Sequence, residues 1–404
     1  MTSPAVWEPE AEDWEIQREL GLLDLAEEAL EQPFSVLSNG ERTKVLLAAM
    51  FLKENAFLLI DEPTNHLDLE GRRKLGGYLA RKRGFLLVSH DRAFLDQCVD
   101  HILAINRTHI EVQRGNFSSW WENKARRDQF ERAEQARLNR AAYAENSELY
   151  ESALLRLTEQ IRNCMLVHQQ PEAVTARQGW LDGARVWREP VLGDDRVFLR
   201  QDQEPKPGFS VDLLLDGSAS RLHCQETIAA QGYILAKSLL NCGIPVRVTS
   251  FCSLRGYTVL RVLKEYGDKQ GERRIFDYFA AGWNRDGLAL RGMEELMQSA
   301  PAEKHLLLIL TDANPDDSHR IPPNGKNPIS REYDGKAGVE DTADEVRDLR
   351  RRGIRVAAIF MGEQDSVPAA DRIYGKDLAR IRRMDQLAQA AGRLIQDQIR
   401  ELAN

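Results

Sequence analysis

The sequence predicts an α/β protein: two α/β units joined by a long charged helix, the second unit a doubly wound, Rossmann-like parallel sheet. Three observations lead there. Apolar runs of strand length recur at 57–60, 85–88, 209–215, 246–251, 306–310 and 356–360, and amphipathic stretches of helical period alternate with them. Several of the runs end in acidic or turn residues, where open parallel sheets place their ligands. The chain has 404 residues, more than one ordinary core holds, which suggests two or three domains.

Composition narrows the class. Hydrophobic residues make up 42% and charged residues 29%, which excludes a disordered tail. No apolar run approaches the ~20 residues that span a bilayer, so no membrane partner is expected. The start has neither a basic n-region nor an apolar h-region, and the expectation is a cytoplasmic protein. Cys98, Cys164, Cys224, Cys242 and Cys252 are scattered with no C-x-x-C pair, which speaks against a disulfide scaffold or zinc finger and for a reducing compartment. The net charge of −8 is uneven: the first forty residues carry many acids against Arg18 alone, while 41–140 is slightly basic. A global nucleic-acid footprint is absent, and no specific DNA partner is expected.

In chain order, apolar positions at helical spacing over 12–31 predict one or two amphipathic helices, stopped by Pro33. Ser38 as N-cap with Glu41 three residues on makes a capping box that opens a helix to about Lys53. A buried parallel strand is expected at 57–60, a helix at 69–81, a second buried strand at 85–88, and a small hairpin at 102–105 and 109–113. Residues 118–169 are almost wholly helical and charged. The expected organisation is a first unit at 1–117, a helical linker at 118–170, an irregular connector at 171–207 and a second unit at 208–404. Helices at 225–240, 288–299, 337–351 and 378–402 would cover both faces of the second sheet.

The first constellation is Leu37-Ser38-Asn39-Gly40-Glu41, then a strand ending at Asp61-Glu62-Pro63, then Asn65-His66-Leu67-Asp68, and later Ser89-His90-Asp91. Each piece alone is weak, but their order and spacing resemble the ABC ATPases, specifically the ABC-F class that acts on ribosomes. The likeness covers about residues 8–140. Phosphoryl transfer needs charge neutralisation and a positioned water. The resemblance implies that Asp61 holds the Mg2+ shell, Glu62 polarises the attacking water, and His90 contacts the γ-phosphate. It places Asp68 in a loop that speaks across a dimer. Ser38, Asn39, Gly40 and Glu41 become a helix N-terminus set against a phosphate of ATP bound by an opposing domain. The departure is that no G-x-x-x-x-G-K-[ST] phosphate loop occurs in the chain. With only 36 residues before Leu37, the expectation is a truncated half-domain that does not hydrolyse ATP alone, and that either offers its signature to ATP in trans or is a relic. Trp120, Trp121 and the following helix look like the linker between two ABC-F nucleotide domains, or a plain solvated helix. Lys124, Arg126 and Arg127 are the residues that would touch ribosomal RNA.

The second constellation is Asp216-Gly217-Ser218-Ala219-Ser220 after an apolar strand, with Thr311-Asp312 ending another. Two hydroxyls and two carboxylates at one sheet edge make an all-oxygen site suited to Mg2+. Read blandly, Asp216 and Asp312 cap the helices that follow. This half resembles the von Willebrand factor A (VWA) domains of the bacterial intracellular type, with a metal-dependent adhesion site. The likeness spans about 205–400. It implies that Ser218 and Ser220 bind the ion directly, and that Asp216 and Asp312 do so directly or through water. Where the third loop usually gives a threonine, Asn284-Arg285-Asp286-Gly287 stands, so Asn284 or Asp286 substitutes, or the run is only a turn. The long loop 314–335 would be partner-contacting surface. His223 beside Cys224 finds no third group, and a buried helix-face thiol is the plainer reading.

Three functions stay open. One is an Mg2+-dependent interaction protein whose partner, by resemblance, is an AAA+ ATPase of the MoxR kind. Another is an ABC-F-type ATPase acting on the ribosome, in translation or antibiotic resistance. The third is a chimera of two fragments with no joint task.

Overall fold

The computed structural model describes residues 12–25, 32–53, 56–105, 110–168, 173–201, 208–254, 256–268, 270–322 and 329–403. Of the sequence expectations, 26–31 of the first helical stretch and residue 109 of the hairpin lie outside them. The chain divides into two compact units, 1–130 and 131–404, with the boundary inside the helix Phe117–Glu145.

In the first unit the helix Asn39–Phe51 opens at the capping box read from the sequence. Ser38 N–H donates to Glu41 Oε2 at 2.8 Å, and Glu41 N–H donates to Ser38 Oγ at 3.3 Å. Strands β1 (Leu58–Asp61) and β2 (Phe85–Val88) pair in parallel. Asp68 caps the helix Leu69–Leu79 and Asp91 the helix Arg92–Cys98. Strands β3 (His101–Ile105) and β4 (Ile110–Arg114) form the expected hairpin. Leu23, Leu37, Val45, Leu58, Ile60, Leu75, Leu79 and Phe94 make the core. The continuous apolar run of β1 suggested burial on both faces, and that expectation fails. Leu58 and Ile60 face the core, whereas Phe57, Leu59 and Val88 are exposed, because among the described residues no layer covers the other face.

The second unit is a six-stranded sheet of β8 (Phe209–Asp216), β9 (Val246–Leu254), β10 (Tyr257–Lys264), β11 (Lys304–Thr311), β14 (Arg355–Phe360) and β15 (Leu378–Arg380). Its order is β10-β9-β8-β11-β14-β15, with β10 antiparallel at one edge and the rest parallel. Renumbered from β8, this is the 3-2-1-4-5-6 order of doubly wound folds, whose switch point lies between β8 and β11. Alternation along each strand feeds two cores. Val211, Leu213, Leu306, Leu308 and Ala357 meet one set of helices, while Leu214, Leu307, Ile309 and Val356 meet the other.

Four expectations change here. The stretch 147–168 is not a spacer: helix Ser147–His168 buries Tyr150, Ala153, Leu157, Ile161 and Cys164, a stripe at three- and four-residue steps, against helices Gln225–Asn241 and Leu387–Ala403. Residues 171–207 contain a small antiparallel sheet of β5 (Ala173–Ala176), β6 (Trp180–Leu181) and β7 (Phe198–Gln201), whose strands are too short to show a period. The apolar pattern at 378–402 holds two elements, since β15 pairs with β14 and only then does helix Leu387–Ala403 begin. Within 314–335, strands β12 (Asp317–Ile321) and β13 (Arg331–Tyr333) pair across residues 323–328, which lie outside the described ones.

Candidate functional site

The switch point gathers the second constellation. Strand β8 delivers Asp216 at its C-terminal end, β11 delivers Thr311 and then Asp312, and helix Asp286–Met297 begins at Asp286. Asp216, Ser218, Asn284, Asp286 and Asp312 are buried, and Ser220 is exposed at the mouth. Ser218 N–H donates to Asp216 Oδ1 at 2.9 Å, and the Ser218 and Ser220 hydroxyls lie 2.8 Å apart. Ser220 Oγ donates to Asp312 Oδ2 at 2.7 Å. Tyr278 OH donates to the Asp216 carbonyl, and Thr311 Oγ1 reaches Asp216 Oδ2 at 3.5 Å.

Backbone geometry keeps the site tight. A Cβ on Gly217 would lie 2.9 Å from the Phe251 carbonyl oxygen, so only glycine fits where the turn after β8 passes the backbone of β9. Ala313, directly after Asp312, sits at φ +52°, a left-handed conformation rare for alanine and typical of strained functional turns.

The electrostatics are those of crowded acids. Burial, then the Asp312 charge, pushes Asp216 up to about 7. Burial, with Asp216 and Asp312 adding to it, lifts Asp286 well above the carboxylate range. The third loop resolves into two roles. Asn284 has both ends of its amide occupied, Nδ2 donating to Asn314 O at 3.0 Å and Oδ1 accepting from Asp316 N–H at 3.2 Å. Asp286 Oδ1 is buried with no hydrogen-bond partner. The orphaned oxygen and the all-oxygen donor set fit a hard divalent cation in chemistry. As they stand, no three His, Cys, Asp or Glu side chains among the described residues form a metal-holding group.

Sequence reading missed Arg221. Its Nη2 lies 2.5 Å from Asp312 Oδ2 and its Nη1 donates to Met361 O at 3.0 Å, with the residue only 6% exposed. The available signal was a basic residue placed directly after D-x-S-x-S.

The first constellation forms two groups. Glu62, at φ +44° after β1, has Oε1 3.4 Å from His90 Nε2. Asp61 and His90 are exposed. At the helix start, a Cβ on Gly40 would lie 3.0 Å from the His66 carbonyl oxygen, so the signature residues pack against the loop that ends in the cap Asp68. Asn39 is exposed and its carbonyl accepts from Thr43. Ser38's side-chain and backbone hydrogen bonds hold the Glu41 carboxyl below its ordinary range.

Taken together, these features define a chain with an ATPase-like front half and an acidic, oxygen-lined site in a doubly wound second half. The profile of the ABC transporter family matches residues 5–65. The chain is 39% identical over 123 residues to the energy-dependent translational throttle protein EttA of Mycobacterium tuberculosis, covering 29% of this chain and 22% of that one. It is 42% identical over 106 residues to the probable ATP-binding protein YheS of Escherichia coli K12, covering 26% and 17%. To the ATP-binding protein ChvD of Rhizobium radiobacter it is 34% identical over 152 residues, covering 36% and 52%. The chain thus spans about a fifth of the length of the EttA and YheS relatives. Its N-terminal part resembles the ABC-F-type ATP-binding proteins. The C-terminal part is similar in arrangement to VWA domains. These include the vWF domain of the pili tip protein Mfa5 from Porphyromonas gingivalis (10% identity, 50% of this chain and 97% of that one, TM-score 0.38). Another is the SpRpn10 VWA domain (10% identity, 45% and 93%, TM-score 0.31). The fold class of this part of the chain, doubly wound α/β, follows from its own strand order. Among the described residues, no helix is long and apolar enough to cross a membrane.

Proposed function

We propose that the second unit is an Mg2+-dependent protein-interaction domain of the VWA type, carried with an ABC-F-like ATP-binding region. One observation carries the reading: Asp216, Ser218, Ser220 and Asp312 meet at the switch point of a doubly wound sheet, with Asp286 Oδ1 buried and unpartnered beside them. Asp216, Asp286, Asp312 and the two serines are the residues that would hold the cation, and Asn284 ties the neighbouring loops. When bound, the ion supplies a fixed positive centre for an acidic group of a partner protein. Ser220 marks the face on which that partner docks, and we assign the partner to the AAA+ ATPases of the MoxR kind.

The test uses the full chain. Mg2+ at about a hundred times its dissociation constant stabilises the folded state by about 2.7 kcal/mol. It should therefore raise the melting transition of the second unit, and Asp216→Ala should remove the rise. An unchanged wild-type melt refutes the metal reading.

The juxtaposition of Glu62 with His90 favours a second reading for the front half, in which its signature residues meet ATP in trans and the chain acts on ribosomes. Purified alone, the chain should show no ATP turnover above background. Turnover abolished by Glu62→Gln would overturn the trans assignment.

A further inference from the structure

We propose that Arg221 is a built-in competitor for the divalent cation: its guanidinium holds Asp312 in the cation-free protein, and the ion takes that carboxylate only by displacing it. The inference rests on the metal reading above and adds to it the residue that sets the affinity.

The argument begins with lone pairs. Asp312 Oδ1 accepts Asn314 N–H at 3.2 Å, while Oδ2 accepts both Ser220 Oγ at 2.7 Å and Arg221 Nη2 at 2.5 Å. A carboxylate so engaged has little left to offer an ion. Ser220 gives its proton to Asp312, so at 2.8 Å Ser218 Oγ donates to Ser220 Oγ. The donors are present, then, but they are turned onto one another and onto the arginine.

Charge gives the second step. Asp216, Asp286 and Asp312 are all buried around this one site, a concentration of acidic groups away from water. Arg221 is the cation paired with this group, and its ion pair falls on Asp312. A divalent ion on Asp312 Oδ2 would stand within a few ångströms of the guanidinium, and like charges at that range in a buried site repel strongly.

The third step is anchoring. A surface arginine would swing away at little cost, but Arg221 is 6% exposed and its Nη1 is held by the Met361 carbonyl just past β14. Its planar fork spans two fixed acceptors, a geometry that a lysine does not reproduce. Displacement therefore costs a buried ion pair and a hydrogen bond, and ion binding is weakened by that amount.

Isothermal titration of the full chain with MgCl2 tests this, using wild type, Arg221→Gln, Arg221→Lys and Asp216→Ala. The Gln variant should bind Mg2+ about ten-fold tighter or more, with the Lys variant between it and wild type. In EDTA the Gln variant should melt lower, and its Mg2+-induced rise should be larger than that of wild type. A purely structural arginine would lower the melt without tightening binding. If wild type binds, Asp216→Ala does not, and neither Arg221 variant binds tighter, the competitor role is refuted and the metal reading stands. If neither wild type nor the Arg221 variants bind Mg2+, the metal reading itself fails. Should the Gln variant not fold, the Lys variant decides by the same comparison.

Discussion

Asp212 and Arg247 stand opposite each other on β8 and β9, on the face of the sheet that meets the second helical layer. Both are buried, at 0% and 1% exposure, and Arg247 Nε donates to Asp212 Oδ1 at 2.8 Å. Tyr266 OH donates to the other carboxylate oxygen at 2.5 Å, and Arg247 Nη1 donates to Ser299 Oγ at 3.0 Å. Asp212→Ala would leave a buried guanidinium whose Nη2 already lacks a partner. Removing one member of such a pair costs about 3–5 kcal/mol. The stranded Tyr266 hydroxyl adds at least about 1 kcal/mol. At about 2–4 °C per kcal/mol for a unit of this size, the expected fall in its melting transition is about 8–24 °C. Calorimetry of the full chain reads this directly. The double variant Asp212→Leu, Arg247→Met should recover most of the loss, because a packed apolar pair replaces a buried ion pair at little net cost. If Asp212→Ala melts within about 3 °C of the parent, the pair does not hold β8 to β9, and the reasoning is refuted.

Two other expectations concern the elements around the sites. Asn139, fully buried on the helix Phe117–Glu145, donates through Nδ2 to Phe276 O at 2.8 Å and Tyr278 O at 3.0 Å. Asn139→Leu should destabilise the second unit by about 1–3 kcal/mol and speed hydrogen exchange in residues 131–145, and unchanged exchange there would contradict the anchoring role. In the first unit, burial opposes ionisation of Glu19, but Lys82 and the Tyr78 hydroxyl, 2.6 Å away, outweigh it and hold the carboxyl below its ordinary value of 4.5. A depressed folded value means that Glu19 contributes stability above the unfolded value, and that this is lost as pH falls through the folded one. Melts from pH 7 to 3 should show this acid-side loss in the parent and a smaller one in Glu19→Gln, and equal slopes would count against the assignment.

What the sequence determined by itself was local. The capping box of Ser38 and Glu41 was legible because two residues three positions apart specify it, and the parallel strands of the second unit because apolar runs and helical periods alternate along the chain. Residues that act at the ends of strands, Asp216 and Asp312 above all, could be picked out because a parallel sheet sends those ends to one edge. Tertiary structure decided everything that depends on what lies opposite. It buried the stripe of helix Ser147–His168 against the core of the second unit that holds Val211 and Leu213, and it left Phe57 and Leu59 of the first unit exposed. It gave Asn284 two backbone partners and left Asp286 Oδ1 buried without one. Arg221 and Asp312 are ninety-one residues apart in sequence, and no local pattern announces that they meet. Pairings of that kind arise only when the packed sheet brings distant strand ends together, and they set the charge of the site.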